Sequence, residues 1–437
     1  MALEQSAQYT AWRHPANLAE KCCMFRSAIS AFFLPPGTLP AAGIILWTRA
    51  LRAFGDGFVS LLLPFYLTLL GFSALEVGVL VTATLLGSGA MTLAVGLFAH
   101  RWQGRALLLG AAALMAATGV AFVSFTDFWP LLLIAFVGTL NPSSGDVSVF
   151  LPVEQALLSH TVPARSRTTL FARYTLIGVL VSAVGAQAAG APGIAATLFT
   201  LELKTAVQAM FVFYGVLGAA AFLLYRRLPR RLELPRGERP VPLGRSRGIV
   251  YRMAALFSID AFAGGFAVQS LLALWLFERF DLSLAAAATI FFWIGMLAAL
   301  SQLVAPRIAA RFGLINTMVY THLPSNVFLI LVPFMPTLPL ALFFLFLRSA
   351  LSQMDVPTRT SYVMAVVSAG ERPAAASVTA VPRSLAAAVS PALAGYLLTL
   401  SVFGWPLVIC GAMKIVYDLM LLRMFSGVKP PEEISRN

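Results

Sequence analysis

Charge is what this sequence has least of. Only 11% of its 437 residues are Asp, Glu, Lys or Arg, against about 25% in ordinary soluble domains. Acid is the scarcer sign: 18 Asp and Glu stand against 31 Lys and Arg, for a formal net charge of +13. Cysteine is nearly missing. Cys22, Cys23 and Cys410 support neither a disulfide framework nor a metal-ligand spacing, and Cys410 falls in an apolar run, where it reads as a small packing residue. The histidines His14, His100, His160 and His322 lie far apart. No H-E-x-x-H pair and no Gly-rich phosphate loop occurs, so a membrane-embedded transferase has no nucleophile–base set or metal ligands to work with. The expectation is no metal and no cofactor. No sizeable polar region remains to build a signalling domain, which disfavours a receptor.

What is abundant is hydrocarbon. The chain is 59% hydrophobic, its mean hydropathy is +0.84, and apolar runs of about 20 residues recur, each long enough to cross a bilayer as a helix. Twelve spans are expected near 46–70, 74–98, 106–125, 128–153, 168–190, 206–225, 250–277, 284–305, 314–336, 338–366, 375–400 and 404–424. The excess positive charge then marks the cytoplasmic side rather than a nucleic-acid partner. Alternate loops carry it: Arg101 and Arg105, Arg165 and Arg167, a run of arginines from Arg226 to Arg252, then Arg311 and Arg372. The other loops hold only Glu76, Asp127, Glu202, Lys204, Glu278, Arg279 and Asp281. Both termini are therefore expected in the cytoplasm, with the chain multi-pass in the cell (inner) membrane and monomeric.

Residues 1–44 are expected as a poorly ordered N-terminal tail. Its apolar part is broken by Pro35-Pro36, unlike a clean signal peptide, and Met24 is an alternative start. Residues 45–225 and 250–425 form two six-helix bundles. Residues 226–249, rich in Arg and Pro, join them as a solvated basic linker, and 426–437 form a C-terminal tail. The bundles repeat. Ser73 precedes Gly96 by 23 positions and Ser283 precedes Pro306 by 23, while Arg101 and Arg311 are 210 apart, as are Arg173 and Arg383. Gly57-Phe58 matches Gly265-Phe266, and Asp146-Val147 matches Asp355-Val356. A parallel repeat of six-helix halves is a transporter architecture.

On these residues the chain resembles the major facilitator superfamily. That family carries G-x-x-x-D-R-x-G-R-[RK] between its second and third helices. Here Gly96, Arg101, Gly104 and Arg105 match, with His100 in place of Asp and one extra residue before Gly104. The second copy keeps Arg311, Phe312 and Gly313. Glu371-Arg372 and then Arg383-Ser384-Leu385 look like the family's approach to helix eleven. The G-P-x-x-G-G signature of proton antiporters is not satisfied; its nearest stretch, from Gly185 to Gly190, lacks the proline. The resemblance implies an all-α membrane protein of twelve transmembrane helices in two pseudo-symmetric bundles. It also implies a cytoplasmic gate built from Gly96, His100, Arg101, Gly104, Arg105, Glu154, Arg173, Arg311 and Arg383, with Glu154 meeting the basic hairpin.

Ionisable groups inside spans are functional candidates by default. Asp56, Asp146, Asp260 and Asp355 fall on spans one, four, seven and ten, the helices that line the central cavity in the superfamily. They read as proton or substrate sites, or as partners of Arg49, Arg52, Arg173, Arg348, Arg359 and Arg383. Arg348 either binds an anionic substrate group or neutralises Asp355, seven positions on. The break Asn141-Pro142-Ser143-Ser144-Gly145 frees carbonyls that would line the cavity. The expected function is secondary active transport of a small organic solute by alternating access, with protons as the coupling partner. Four carboxylates with apolar walls favour export of an amphipathic or cationic compound. Uptake of an anionic metabolite through Arg348 and Arg359 is the runner-up.

Overall fold

The computed structural model describes residues 34, 38–98, 103–143, 148–159, 161–162, 166–229, 243–244, 246–368 and 371–427. Asp146, His100, Arg101, most of the tail 1–44, the middle of the linker 226–249 and nearly all of 426–437 lie outside the described residues. The helices are α1 Pro40–Leu69, α2 Ala74–Phe98, α3 Gly104–Ser124, α4 Phe128–Val137, α5 Phe150–Ser159, α6 Arg167–Ala188, α7 Ala191–Leu198 and α8 Leu203–Tyr225. The second half holds α9 Arg247–Gly265, α10 Gln269–Phe280, α11 Leu284–Phe312, α12 Leu314–Leu331, α13 Leu338–Ser352, α14 Asp355–Val366, α15 Arg372–Leu400 and α16 Trp405–Phe425. Eleven of these helices or helix pairs are long and apolar enough to cross a membrane, and α4 is a shorter apolar helix. The chain is a multi-pass helical membrane protein.

Three expected boundaries move. The first helix starts at Pro40, inside the expected tail, because Pro at the first helical turn loses no bond it would have made and Ala42 and Ile45 are already buried. Helix α9 starts at Arg247, inside the expected linker, where Ser246 turns toward Glu371. The fourth span is two helices. Helix α4 stops at Gly138, and Asn141-Pro142 cannot continue it, since Pro lacks the backbone donor.

Local chemistry explains other ends. Ser73 and Glu76 form a capping box at the start of α2: the Glu76 carboxylate accepts from the Ser73 N–H at 2.8 Å and the Ser73 hydroxyl accepts from the Glu76 N–H at 3.4 Å. In the repeat, Ser283 caps α11 by accepting from the Ala286 N–H at 3.2 Å. Large apolar side chains such as Trp129, Leu198, Phe199, Trp293 and Tyr320 are exposed, as the outer surface of a bundle in lipid requires.

The repeat is visible in packing. In the first half α1 lies on α6 and α3 on α8; in the second α9 lies on α15 and α12 on α16. Gly57 presses against the backbone of Ser182 and Ala186 on α6, and its repeat partner Gly265 presses against Ala387 and Ser390 on α15. A side chain at either position meets neighbouring backbone rather than space. The halves join through α2 with α15, α6 with α11 and α1 with α10. Gln269 donates to the Ser60 hydroxyl at 2.8 Å, Ser270 donates to the Ser60 carbonyl at 2.8 Å, and the Ala392 N–H donates to Thr82 at 2.9 Å. Gln187 donates to Thr289 at 3.3 Å, and Phe65 packs on Phe277. All five contacts lie on the side remote from the linker.

Candidate functional site

In the second half four helices converge on one carboxylate. Asp260 on α9 is buried and accepts from Arg359 Nη1 of α14 at 3.0 Å and from Lys414 Nζ of α16 at 2.5 Å. Arg359 also pairs with Asp355 one turn earlier, at 3.4 Å. Asp355 is the first residue of α14, where a negative side chain also suits the helix dipole. Arg383 on α15 is exposed, and it lies within electrostatic reach of Arg359, Asp260, Asp355 and Tyr417. Two of the four candidate aspartates therefore sit in one ion network with two cations beside them. Asp56 is buried in α1 and accepts from Asn141 at 3.4 Å.

Arg348 stands apart. It is half-buried in α13, its Nε is buried without a hydrogen-bond partner, and no described carboxylate forms an ion pair with it. Its backbone carbonyl accepts from Ser325 of α12 at 3.4 Å, and the Cys410 thiol of α16 is within electrostatic range. The alternative partner named for it, Asp355, is instead held by Arg359, because four residues is one helical turn whereas a helix break at Gln353 and Met354 separates Asp355 from Arg348.

The gate candidates are distributed differently from expectation. Glu154 on α5 is fully buried and pairs with Arg52 of α1. It also accepts from Tyr174 of α6 at 2.5 Å, Tyr225 of α8 at 2.5 Å and Thr48 of α1 at 3.3 Å. Every one of these partners belongs to its own half, so Glu154 ties the linker-side ends of four helices together rather than bridging the halves. Arg52 lies over the Phe150 ring at 4.0 Å. Arg105 donates to the carbonyls of Arg226 at 2.7 Å and Tyr225 at 3.5 Å, which satisfies the open C-terminus of α8. Gly96 lies in the last turn of α2 and Gly104 opens α3. Arg173 lies on α6. Arg311 is exposed at the end of α11, its guanidinium over Phe312. The carbonyl of Pro142, expected to line the cavity, accepts instead from the N–H and hydroxyl of Ser270, at 3.1 and 2.8 Å.

Sequence reasoning missed a second buried group. His322 of α12 meets Asp418 of α16 at 2.9 Å, and Asn326 donates to the other Asp418 oxygen at 3.0 Å. The signal was present: Lys414 and Asp418 are two ionisable residues one turn apart inside an apolar span. Glu371, outside the spans, accepts from Ser368 at 2.7 Å, from Ser246 at 2.8 Å and from the Gly244 N–H. These donors hold its carboxyl below the ordinary glutamate range.

Comparison with known proteins adds the following. The sequence model of the Major Facilitator Superfamily matches residues 45–347. An uncharacterized membrane protein of Saccharomyces cerevisiae is 25% identical over 422 residues, covering 88% of this chain and 94% of that protein. Among solved structures, the nucleoside transporter NupG superposes with a TM-score of 0.66 at 13% identity, covering 89% of this chain and 99% of that one. The xylose transporter XylE of E. coli, in an inward open conformation, gives 0.69 at 13% identity, covering 90% of this chain and 99% of that one. At such identity these two likenesses concern the fold.

Proposed function

The chain belongs to the major facilitator superfamily, a family of membrane transporters and not of enzymes, and from that premise we propose that it is a secondary transporter carrying a small organic anion by alternating access. Support comes above all from Arg348, a cation inside a span with no described carboxylate paired to it. A charge in hydrocarbon is costly unless paired or hydrated, and a solute carboxylate or phosphate supplies the missing partner. Bidentate contact with a planar guanidinium would also give it geometry. The reading of cation export drew its support from four aspartates. Asp260 and Asp355 are already compensated by Arg359 and Lys414, so a cationic solute would compete with bonds the protein makes to itself. The contacts between halves on the side away from the linker favour a conformation open toward the linker. By the positive-inside rule that side is the cytoplasm.

The test is transport by the full chain in proteoliposomes, with panels of organic anions and organic cations. Anions are expected to cross, and Arg348→Gln is expected to weaken their apparent affinity at least tenfold while leaving the protein folded. Transport of cations in preference to anions, or of anions with unchanged affinity in Arg348→Gln, overturns the reading.

A further inference from the structure

The contact between α12 and α16 has a counterpart in the first half, where α3 crosses α8. Asn326 stands 210 positions after Ala116, the offset of the repeat, and Asp418 stands 200 after Gly218, as the end of α16 stands 200 after the end of α8. In the first half Gly218 packs against the backbone of Ala116 and Met115. At this point of the crossing the fold closes on a glycine, without a carboxylate. In the second half the same place holds Asp418, His322 and Asn326, all buried. Buried polar groups of this kind destabilise unless fully bonded, so the packing of the fold does not account for them.

Their geometry is that of a proton site. His322 Nδ1 and Asp418 Oδ1 are 2.9 Å apart, and Asn326 Nδ2 is 3.0 Å from Asp418 Oδ2 and 3.2 Å from His322 Nδ1. The Asn326 amide, a donor, fixes one carboxylate oxygen as acceptor. The Nδ1–Oδ1 contact then holds one proton, and a second proton converts imidazole to imidazolium opposite the carboxylate. Asp260 faces the pair from α9 and Lys414 from the same helix as Asp418; Asp355 and Arg359 of α14 lie beyond Asp260, bound to it and to each other through Arg359. Arg348 on α13 lies near Cys410. The Tyr417 hydroxyl, buried and without a hydrogen bond, lies among the same charges, and its ring meets that of His322 edge-on. Arg383 is the remaining cation, and it approaches Asp260 and Asp355 from the exposed face of α15.

We propose that the His322–Asp418 pair is the proton-loading site of this protein, in place of the aspartates on the cavity-lining helices. Its link to the solute rests on the anion reading above. An anion held at Arg348, beside Cys410 about two turns before Asp418 on α16, adds negative charge next to the network, and the pair then takes up its proton. Solute and proton are loaded together, with the coupling reciprocal as linkage requires.

The experiment uses the full chain in nanodiscs, with Cys22, Cys23 and Cys410 replaced and spin labels at Ser159→Cys on α5 and Ser361→Cys on α14. Distances between the labels are measured from pH 5.5 to 8.5, and proton uptake is measured over the same range by a dye in unbuffered solution. The labelled parent is expected to shift its distance distribution with pH. His322→Gln is expected to bind one proton fewer and to lose the shift. Asp418→Asn is expected to hold one distribution at every pH, and Asp418→Glu to restore the shift. A pH-dependent shift that survives in both His322→Gln and Asp418→Asn overturns the proposal, as does a parent with no shift. Repeating the series with benzoate, succinate and inorganic phosphate separates the two readings. If the shift depends on His322 and Asp418 but none of these anions moves its midpoint, the proton site stands and the anion reading fails.

Discussion

Glu154→Gln is the substitution whose cost follows most directly from the geometry. Oε2 of Glu154 takes Arg52 and the Tyr174 hydroxyl; Oε1 takes the Tyr225 and Thr48 hydroxyls. A glutamine can place its carbonyl where Oε2 was, and its NH2 can face Tyr225 and Thr48, whose hydroxyls rotate to accept. Hydrogen bonds are largely kept. Charge is not. Arg52 is 2% exposed, and it would lose its carboxylate partner in a buried site. Removing one member of a buried pair costs about 3–5 kcal/mol, whereas Tyr174→Phe or Tyr225→Phe removes one bond to a charged acceptor, about 1.5–3 kcal/mol. The decisive variant is the double substitution Arg52→Met with Glu154→Gln. With no charge stranded, it should be less destabilised than the sum of its parts by well over the roughly 0.5 kcal/mol within which independent sites add. Reversible unfolding of the full chain in SDS-titrated bicelles measures all of these. A Glu154→Gln cost under about 1 kcal/mol, or additivity in the double variant, would refute the claim that charge compensation carries this site.

Three further outcomes are expected. Gly57→Val should be destabilised by about 1–3 kcal/mol or more, because its side chain meets the α6 backbone, while Gly89→Ala, which faces open space, should unfold like the parent. Glu371, held low by Ser368, Gly244 and Ser246, should contribute stability fully above the ordinary glutamate value of about 4.3. That contribution should fade as pH falls through the lower folded value. Hydrogen exchange at residues 246–250, corrected for intrinsic rate, should lose protection in that acid window in the parent and show no such pH dependence in Glu371→Gln. Ser270→Ala removes the hydroxyl bonded to the Ser60 and Pro142 carbonyls and leaves only its N–H on Pro142; distances between labels on the far side of the two halves should lengthen, and an unchanged distribution would show that the hydroxyl bonds do not hold that side shut.

The twelve spans, the two-fold repeat and the transporter architecture were legible in the sequence because each depends on local or periodic quantities. Hydropathy over about 20 residues decides whether a helix can reside in lipid. A constant offset of 210 between Arg173 and Arg383 or between Ser73 and Ser283 records the duplication wherever the helices end up. Ser73 and Ser283 even kept the same capping role. Which charges meet was not legible. Asp355 lies seven residues from Arg348 and four from Arg359, and only the helix break at Gln353 and Met354 makes the second the partner. Glu154 was placed near the basic hairpin by resemblance, whereas its partners Arg52, Tyr174 and Tyr225 come from three other helices. His322 and Asp418 are 96 positions apart, and nothing along the chain couples them. Hydropathy is a sum over neighbours in sequence, so the sequence alone determined which segments cross the membrane. An ion pair depends on the rotation and depth of two separate helices to within an ångström, and only tertiary packing decides that.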